Sequence, residues 1–125
     1  MEPLSSLLEI LPRRLVGNWI MIGDLNRLYS LRAEAQKIPN ELILDIIGDE
    51  NTVGAAQEDA LGYVDIEGDL NSVTLSQIGN NSGFNTATVD IFGNENGVSV
   101  TQTMGSNSAL VNVDGSFNSA TITQN

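Results

Sequence analysis

The chain contains no cysteine and no histidine. Without thiols there is no disulfide framework and no thiolate zinc site. Without imidazole, the commonest general base and metal ligand is missing. Cations are scarce as well. Arg13, Arg14, Arg27, Arg32 and Lys37 are all there are, and every one lies before residue 40. Glu2, Glu9, Asp24 and Glu34 offset them, and the other 12 of the 16 acids lie from residue 41 on with no cation among them. So acidic a region argues against nucleic acid as a partner, because binding there needs cations to displace counterions. It also disfavours anionic membrane surfaces. The plainest reading of the acidity is solubility and self-repulsion.

Long apolar runs are missing too. The stretch Leu15-Val16-Gly17-Asn18-Trp19-Ile20-Met21-Ile22-Gly23 is too short to span a bilayer. Arg13-Arg14 before it and Ala33-Glu34-Ala35 after it resemble the flanks of a secretory signal. Asp24, Asn26, Arg27 and Arg32 spoil the apolar core such a signal needs. Ser5-Ser6-Leu7-Leu8-Glu9 reads as a capped helix start, which Pro12 interrupts. Leu15, Trp19, Ile22, Leu25 and Leu28 then fall on one helical face, weakened by Gly17 and Gly23. Residues 1–39 are therefore expected to be a partly helical leader or capping segment, which Pro39 closes.

What the rest of the chain does have is a repeat. From Asn85 to Gln102, Ala87, Val89 and Ile91 alternate with Thr86, Thr88 and Asp90. Beyond Gly93 and Asn96, Val98 and Val100 alternate with Ser99 and Thr101. Alternation places every second side chain on one face of a strand, and Gly93 permits the tight arc between the two strands. The pattern returns around Gly48, Gly68, Gly93 and Gly115. Three residues later stand Asn51, Asn71, Asn96 and Asn118, and nine later Gln57, Gln77, Gln102 and Gln124. Apolar residues recur at fixed offsets between and before them, with Ile46, Ile66, Ile91 and Val113 two residues ahead of each glycine. The units are 40–57, 60–77, 85–102 and 107–124, one template with variable linkers rich in Gly, Asn and Ser. The first two copies are poorer: Gly62 takes a core position and Gly54 sits inside a strand.

Two short strands cannot bury an apolar face alone, whereas stacking the units can. Like strands then pair at about 4.7–4.8 Å in two parallel sheets whose inner faces interdigitate. Val89, Ile91, Val98 and Val100 point inward; Thr86, Thr88, Ser99 and Thr101 point outward. Inward Asn and Gln are costly alone, but stacked on their own kind they hydrogen-bond as ladders. The fold class this implies is an all-β solenoid over residues 40–125, with two strands per coil, four coils and parallel stacking. The structural ladder residues are Gly48, Asn51, Gln57, Gly68, Asn71, Gln77, Gly93, Asn96, Gln102, Gly115, Asn118 and Gln124.

These columns resemble the curlin repeat, Ser-x5-Gln-x-Gly-x-x-Asn-x-Ala-x3-Gln, of the curli biofilm fibres of Gram-negative bacteria. Gly93-x-x-Asn96-x-Val98-x3-Gln102 and Gly115-x-x-Asn118-x-Ala120-x3-Gln124 follow its second half column by column. Gly48 to Gln57 and Gly68 to Gln77 do so with Val in the Ala column. The chain departs where the family has its first Gln, replaced by Ile46, Ile66, Ile91 or Val113, and at the leading Ser, which is Asn or Ala. One amide ladder is thereby exchanged for aliphatic packing. The resemblance implies an extracellular, self-assembling amyloid fibre subunit on the cell surface. Its partner is the chain itself, with a related nucleator or a secretion channel besides. Open strand edges at the ends of a solenoid would template that growth.

Chemistry of other kinds is thinly represented. Asp49, Glu50, Glu58 and Asp59, and Asp65, Glu67 and Asp69, are acid clusters. They match neither an EF-hand loop nor a glycine-rich calcium nonapeptide. No phosphate loop, nucleophile–base pair, metal set or cofactor motif occurs, so no catalytic residue is assigned and an enzyme is not expected. The alternative to a fibre subunit is a monomeric acidic solenoid that binds a glycan, a surface or calcium. Thr and Ser alternate outward in the last two units, but unit one has only Thr52, so no continuous row for ice results.

Overall fold

The computed structural model of the chain describes residues 6–10, 19–32, 41–79 and 83–125. Among them are eleven strands: β1 Ser6–Ile10, β2 Trp19–Ile22, β3 Asn26–Arg32, β4 Glu41–Ile47, β5 Thr52–Glu58, β6 Ala60–Glu67, β7 Ser72–Ile78, β8 Asn85–Phe92, β9 Gly97–Thr103, β10 Ser108–Asp114 and β11 Ser119–Gln124. They form two parallel sheets, in the orders β1-β3-β5-β7-β9-β11 and β10-β8-β6-β4-β2. From β4 on, each coil gives one strand to each sheet, which is the four-coil parallel solenoid the repeat predicts.

Register follows the template column by column. Val64, Val89 and Val111 lie opposite one another, and so do Gln57, Gln77 and Gln102. Inward positions alternate with outward ones along every strand of the middle coils, so that Ala87, Val89, Ile91, Val98 and Val100 are buried while Thr86, Thr88, Ser99 and Thr101 stay half-exposed. The core is a thin slab of aliphatic columns between the sheets, drawn from Leu28 to Val113. Gly62, which looks like a defect in the sequence, is filled from its neighbours. A Cβ there would sit 2.8 Å from Gln57 Nε2, 2.9 Å from Leu75 Cδ2 and 3.1 Å from Leu42 Cδ1. Leu42, one coil earlier in the same column, and Leu75, in the facing sheet, occupy the volume that Ala87 and Ala109 fill one and two coils later.

Where residues 1–39 are described, at 6–10 and 19–32, they form strands and a turn, and the partly helical character expected of the segment is not found among them. None of the described residues is helical, so no helix among them is long and apolar enough to cross a membrane. Ser6–Ile10 is β1, not a helix start. The supposed helical face is divided: Trp19 and Ile22 lie in β2, Leu25 sits in a left-handed turn (φ 60°), and Leu28 is a core residue of β3. Leu15, Gly17 and the boundary at residues 39 and 40 lie outside the described residues. The reason is that Gly23-x-x-Asn26 reproduces the arc spacing. β2 pairs with β4 from Trp19 opposite Leu44, and β3 with β5 from Arg27 opposite Thr52. Pairing with a preformed edge outweighs a helical spacing that two glycines already weaken. A fifth, shorter coil therefore precedes the four.

The two edges of the solenoid differ. At one, the arcs 48–51, 68–71, 93–96 and 115–118 have a constant length. At the other, β5 and β6 are joined by Asp59 alone, whereas 79–84 join β7 to β8 and 104–107 join β9 to β10. The arcs tolerate no side chain on their glycines. Gly23, Gly48, Gly68, Gly93 and Gly115 have φ between 114° and 135°, a region closed to residues with a Cβ. A Cβ on Gly93 would also collide with the carbonyl oxygen of Gly115 one coil below. Gly93→Ala is therefore expected to destabilise the fold by more than about 3 kcal/mol, measured as a fall in the denaturation midpoint; a loss under about 1 kcal/mol would contradict the arc geometry.

Candidate functional site

The feature that recurs in every coil is a set of polar columns running along the solenoid axis. The arc asparagine opens the first. It leaves the arc pointing inward, where β-strand alternation would otherwise put an aliphatic side chain. Asn26, Asn51, Asn71 and Asn96 each donate from Nδ2 to the glycine carbonyl of the next coil, Gly48, Gly68, Gly93 and Gly115, at 2.7–2.8 Å. Each Oδ1 accepts the backbone N–H of the next asparagine, from Asn51 on Asn26 to Asn118 on Asn96, at 2.9–3.0 Å. One side chain thus closes the arc below it on both sides.

The glutamines form the second column. Gln57 Nε2 donates to Gln77 Oε1 (3.0 Å), Gln77 to Gln102 (2.9 Å) and Gln102 to Gln124 (2.8 Å). The other N–H of each amide reaches across the slab within its own coil. Gln57 donates to Glu41 O, Gln77 to Leu61 O, Gln102 to Thr86 O and Gln124 to Ser108 O, at 3.0–3.1 Å. The glutamine therefore ties the two sheets together and the coils to one another. Gln77 and Gln102 are fully buried, so these bonds carry the full desolvation cost of a buried amide if lost. All twelve glycine, asparagine and glutamine positions singled out in the sequence stand in these arcs and columns. Arg32 takes the glutamine position in the short N-terminal coil, opposite Gln57.

A third column was not picked out in the sequence. Directly after the arc glycine come Asp24, Asp49, Asp69, Asn94 and Ser116. The backbone N–H of Asp24 donates to Asp49 Oδ1 (2.7 Å), that of Asp49 to Asp69 Oδ1 (2.8 Å), that of Asp69 to Asn94 Oδ1 (2.8 Å) and that of Asn94 to Ser116 Oγ (3.1 Å). Asp49 and Asp69, read in the sequence as members of solvated acid clusters, are here backbone acceptors. The signal was present: every residue after an arc glycine is short and carries an oxygen acceptor.

A fourth column lies outside, on the sheet that holds the even-numbered strands. Asp45, Asp65 and Asp90 stand opposite one another and continue to Asn112. Asn112 Nδ2 donates to Asp90 Oδ2 (3.0 Å), and Tyr63 Oη donates to Asp65 Oδ2 (3.3 Å). Partial burial raises the Asp65 carboxyl above the usual carboxylate range. The charges of Asp45, Asp90 and Glu67 add to this, while the Tyr63 hydroxyl opposes it. Tyr63 is itself raised, chiefly by Asp65. Among the described residues, no group of three or more acids has a metal-holding arrangement. A shallow depression over Gly62, lined by Ile43, Leu61, Tyr63 and Thr86, holds about 180 Å³, below the roughly 300–1,000 Å³ of a ligand pocket.

Two tests follow from these columns. Gln102→Ala removes a buried amide with three ladder and cross-sheet bonds, and is expected to cost about 2–4 kcal/mol. Thr101→Ala, on the outer face, should cost no more than about 0.5 kcal/mol. Equal losses in chemical denaturation would contradict the inward assignment. The second test is proton-linked. Because Asp65 has a raised carboxyl in the fold, the folded state holds its proton more tightly than the unfolded chain. Its contribution to stability is therefore gained as pH falls through the acidic range and lost as pH rises. Asp65→Asn should raise the melting temperature at neutral pH and flatten its decline between acidic and neutral pH, as followed by circular dichroism.

Comparison with curated proteins gives no match, and comparison with solved structures gives none. The family model of the curlin associated repeat matches residues 93–125. These residues hold two complete arcs, Gly93–Asn96 and Gly115–Asn118, and the glutamine pair Gln102 and Gln124. Over residues 93–125, where the arc and ladder geometry occurs twice in succession, the chain is similar to the curlin associated repeat.

Proposed function

We propose that the chain is a structural subunit that polymerises by end-to-end stacking of its coils into an extracellular, curli-like amyloid fibre at the cell surface. In this reading it serves adhesion and the biofilm matrix, as a main or a nucleating component, and performs no catalysis. Its partners are further copies of itself, a related nucleator and a secretion channel. The curlin repeat of residues 93–125 supports the family context.

The observation that carries the proposal is the unfinished chemistry of the last described coil. Val98 and Val100 are buried, but their counterparts Ala120 and Ile122 are only partly so. Asn118 Nδ2 reaches back to Asn96 Oδ1 (3.2 Å). The glycine carbonyl that each earlier asparagine finds in the following coil would come from the next subunit. At the other end, the arc of Gly23 offers what is wanted: a glycine carbonyl and, on Asp24, a carboxylate. Stacking one copy's Gly115 arc on the next copy's Gly23 arc would let Asn118 Nδ2 donate to Gly23 O and the Ser116 N–H donate to Asp24. The exposed edges of β10 and β2 would pair as every interior pair of that sheet does.

Gly115 separates folding from stacking better than the other arc glycines do: at φ 114° an alanine strains its own arc, but among the described residues no further coil of the same chain lies beyond it. A Cβ on Gly93 strikes the next coil, whereas a Cβ on Gly115 meets only Asn118 Nδ2 at 3.3 Å within its own chain. In a fibre it would strike the carbonyl of the next copy's Gly23. Gly115→Ala is expected to keep most of the β-rich circular dichroism of the monomer while seeded elongation, followed by thioflavin fluorescence, slows at least several-fold. Unchanged elongation by a folded Gly115→Ala chain would overturn the arc-on-arc junction. A wild-type chain that stays monomeric and β-rich at high concentration would overturn fibre assembly itself.

A further inference from the structure

The two sheets do not end at the same level. On the N-terminal side the sheet of even-numbered strands ends on β2, while the other sheet runs one strand further, to β1. β1 pairs with β3 in parallel register, Ser6 opposite Asn26 through Ile10 opposite Ser30. Among the described residues nothing in the even-numbered sheet lies beside β1, and no arc covers the Gly23 arc. Asp49 and Asp69 each accept a backbone N–H from the coil before them. Among the described residues no N–H reaches the Asp24 carboxylate.

An incoming copy presents a different shape. Its last described coil brings β10 and β11 at one level, joined by the arc 115–118. β10 fits the open edge of β2, and the arc fits the open arc of Gly23. β11 needs the edge of β3, and β1 holds that edge. If β11 added to β1 instead, β10 would sit two strand spacings from β2. That is about 9.5 Å, three times the reach of a backbone hydrogen bond. One whole level of the even-numbered sheet would stay empty, with its polar backbone unpaired.

We propose that β1 is a removable strap. It covers the edge of β3 in the single chain and must leave before another copy can add its β10–β11 coil. This rests on the stacking proposed above and adds to it a gate within each subunit. The exchange favours the incoming coil once it starts. β1 pairs along five residues of one sheet only, whereas the newcomer pairs in both sheets and completes the arc bonds between them. The strap therefore sets the rate of addition rather than its endpoint. It leaves the chain less able to polymerise before a docking site is at hand.

The strap can be locked at a register pair. Glu9 and Tyr29 stand opposite each other in β1 and β3, one residue beyond the pair of Leu8 and Leu28, and the chain has no cysteine of its own. Neighbouring strands place paired Cα atoms about 4.8 Å apart, within the span a disulfide bridges. In the Glu9→Cys/Tyr29→Cys chain, isolated as the oxidised monomer, elongation on wild-type seeds is expected to slow several-fold, and a reductant should restore it. Leu8→Pro, which removes a strand N–H and loosens β1, should shorten the lag before growth. Equal elongation rates for the oxidised and reduced double variant would overturn the strap while leaving the stacking intact. Failure of both the wild-type and the reduced chains to elongate on any seed would overturn the stacking, and the strap with it.

Discussion

The structure depends on hydrogen bonds between side-chain amides buried among the aliphatic columns of a thin slab. An asparagine or glutamine in such a place is costly unless both its donors and its acceptor are used. At Asn71, Asn96, Gln77 and Gln102 each is used, because the residue above and the residue below are the same. Asn71 closes on Gly93 through Nδ2 while its Oδ1 holds the N–H of Asn96. Gln77 holds Gln102 along the axis and Leu61 across the slab. Register is thereby fixed more tightly than aliphatic columns alone would fix it. A slip by one residue would put an outward neighbour, such as Thr101 or Ser76, in the place of a buried amide.

Acidic side chains divide into two kinds with opposite consequences. Asp49 and Asp69, each following an arc glycine, accept backbone N–H groups at 2.7–2.8 Å and help hold the arcs together. Those of the outer column, Asp45, Asp65 and Asp90, face one another at strand spacing, with no cation of the described residues between them. Tyr63 gives Asp65 partial relief, and Asn112 ends the row by donating to Asp90. Similar residues in nearby sequence positions thus stabilise on one side of the arc and repel on the other. The difference is whether a backbone donor lies within reach.

The four coils and the inward set were legible because the repeat is written in residue types that have only one comfortable place. A glycine at positive φ, an amide three residues on and another six beyond that leave little freedom. The coil around Gly23 and Asn26 was harder to see. Arg32 stands where glutamine is expected, and Trp19, Ile22, Leu25 and Leu28 happen to fit a helical spacing. Which spacing wins is decided by the exposed edges of β4 and β5, which no local pattern contains. The column after the glycines was missed for another reason. Asp, Asp, Asp, Asn and Ser share an acceptor oxygen and little else, so they read as a column only once the backbone N–H opposite them is in view. Gly62 looked like a flaw for a similar reason, since its compensation comes from Leu42 and Leu75 in different strands.

The unequal edges of the solenoid bear on how such a chain changes length over time. Any insertion in the arcs would push a residue into the carbonyl of the neighbouring turn. The opposite edge already spans its gaps with one residue in one place and with several in others. Additions and losses of sequence, and any peptide grafted into the protein, are accommodated along that one margin. The ribbon thus has a side on which it can be rewritten and a side on which it must be copied.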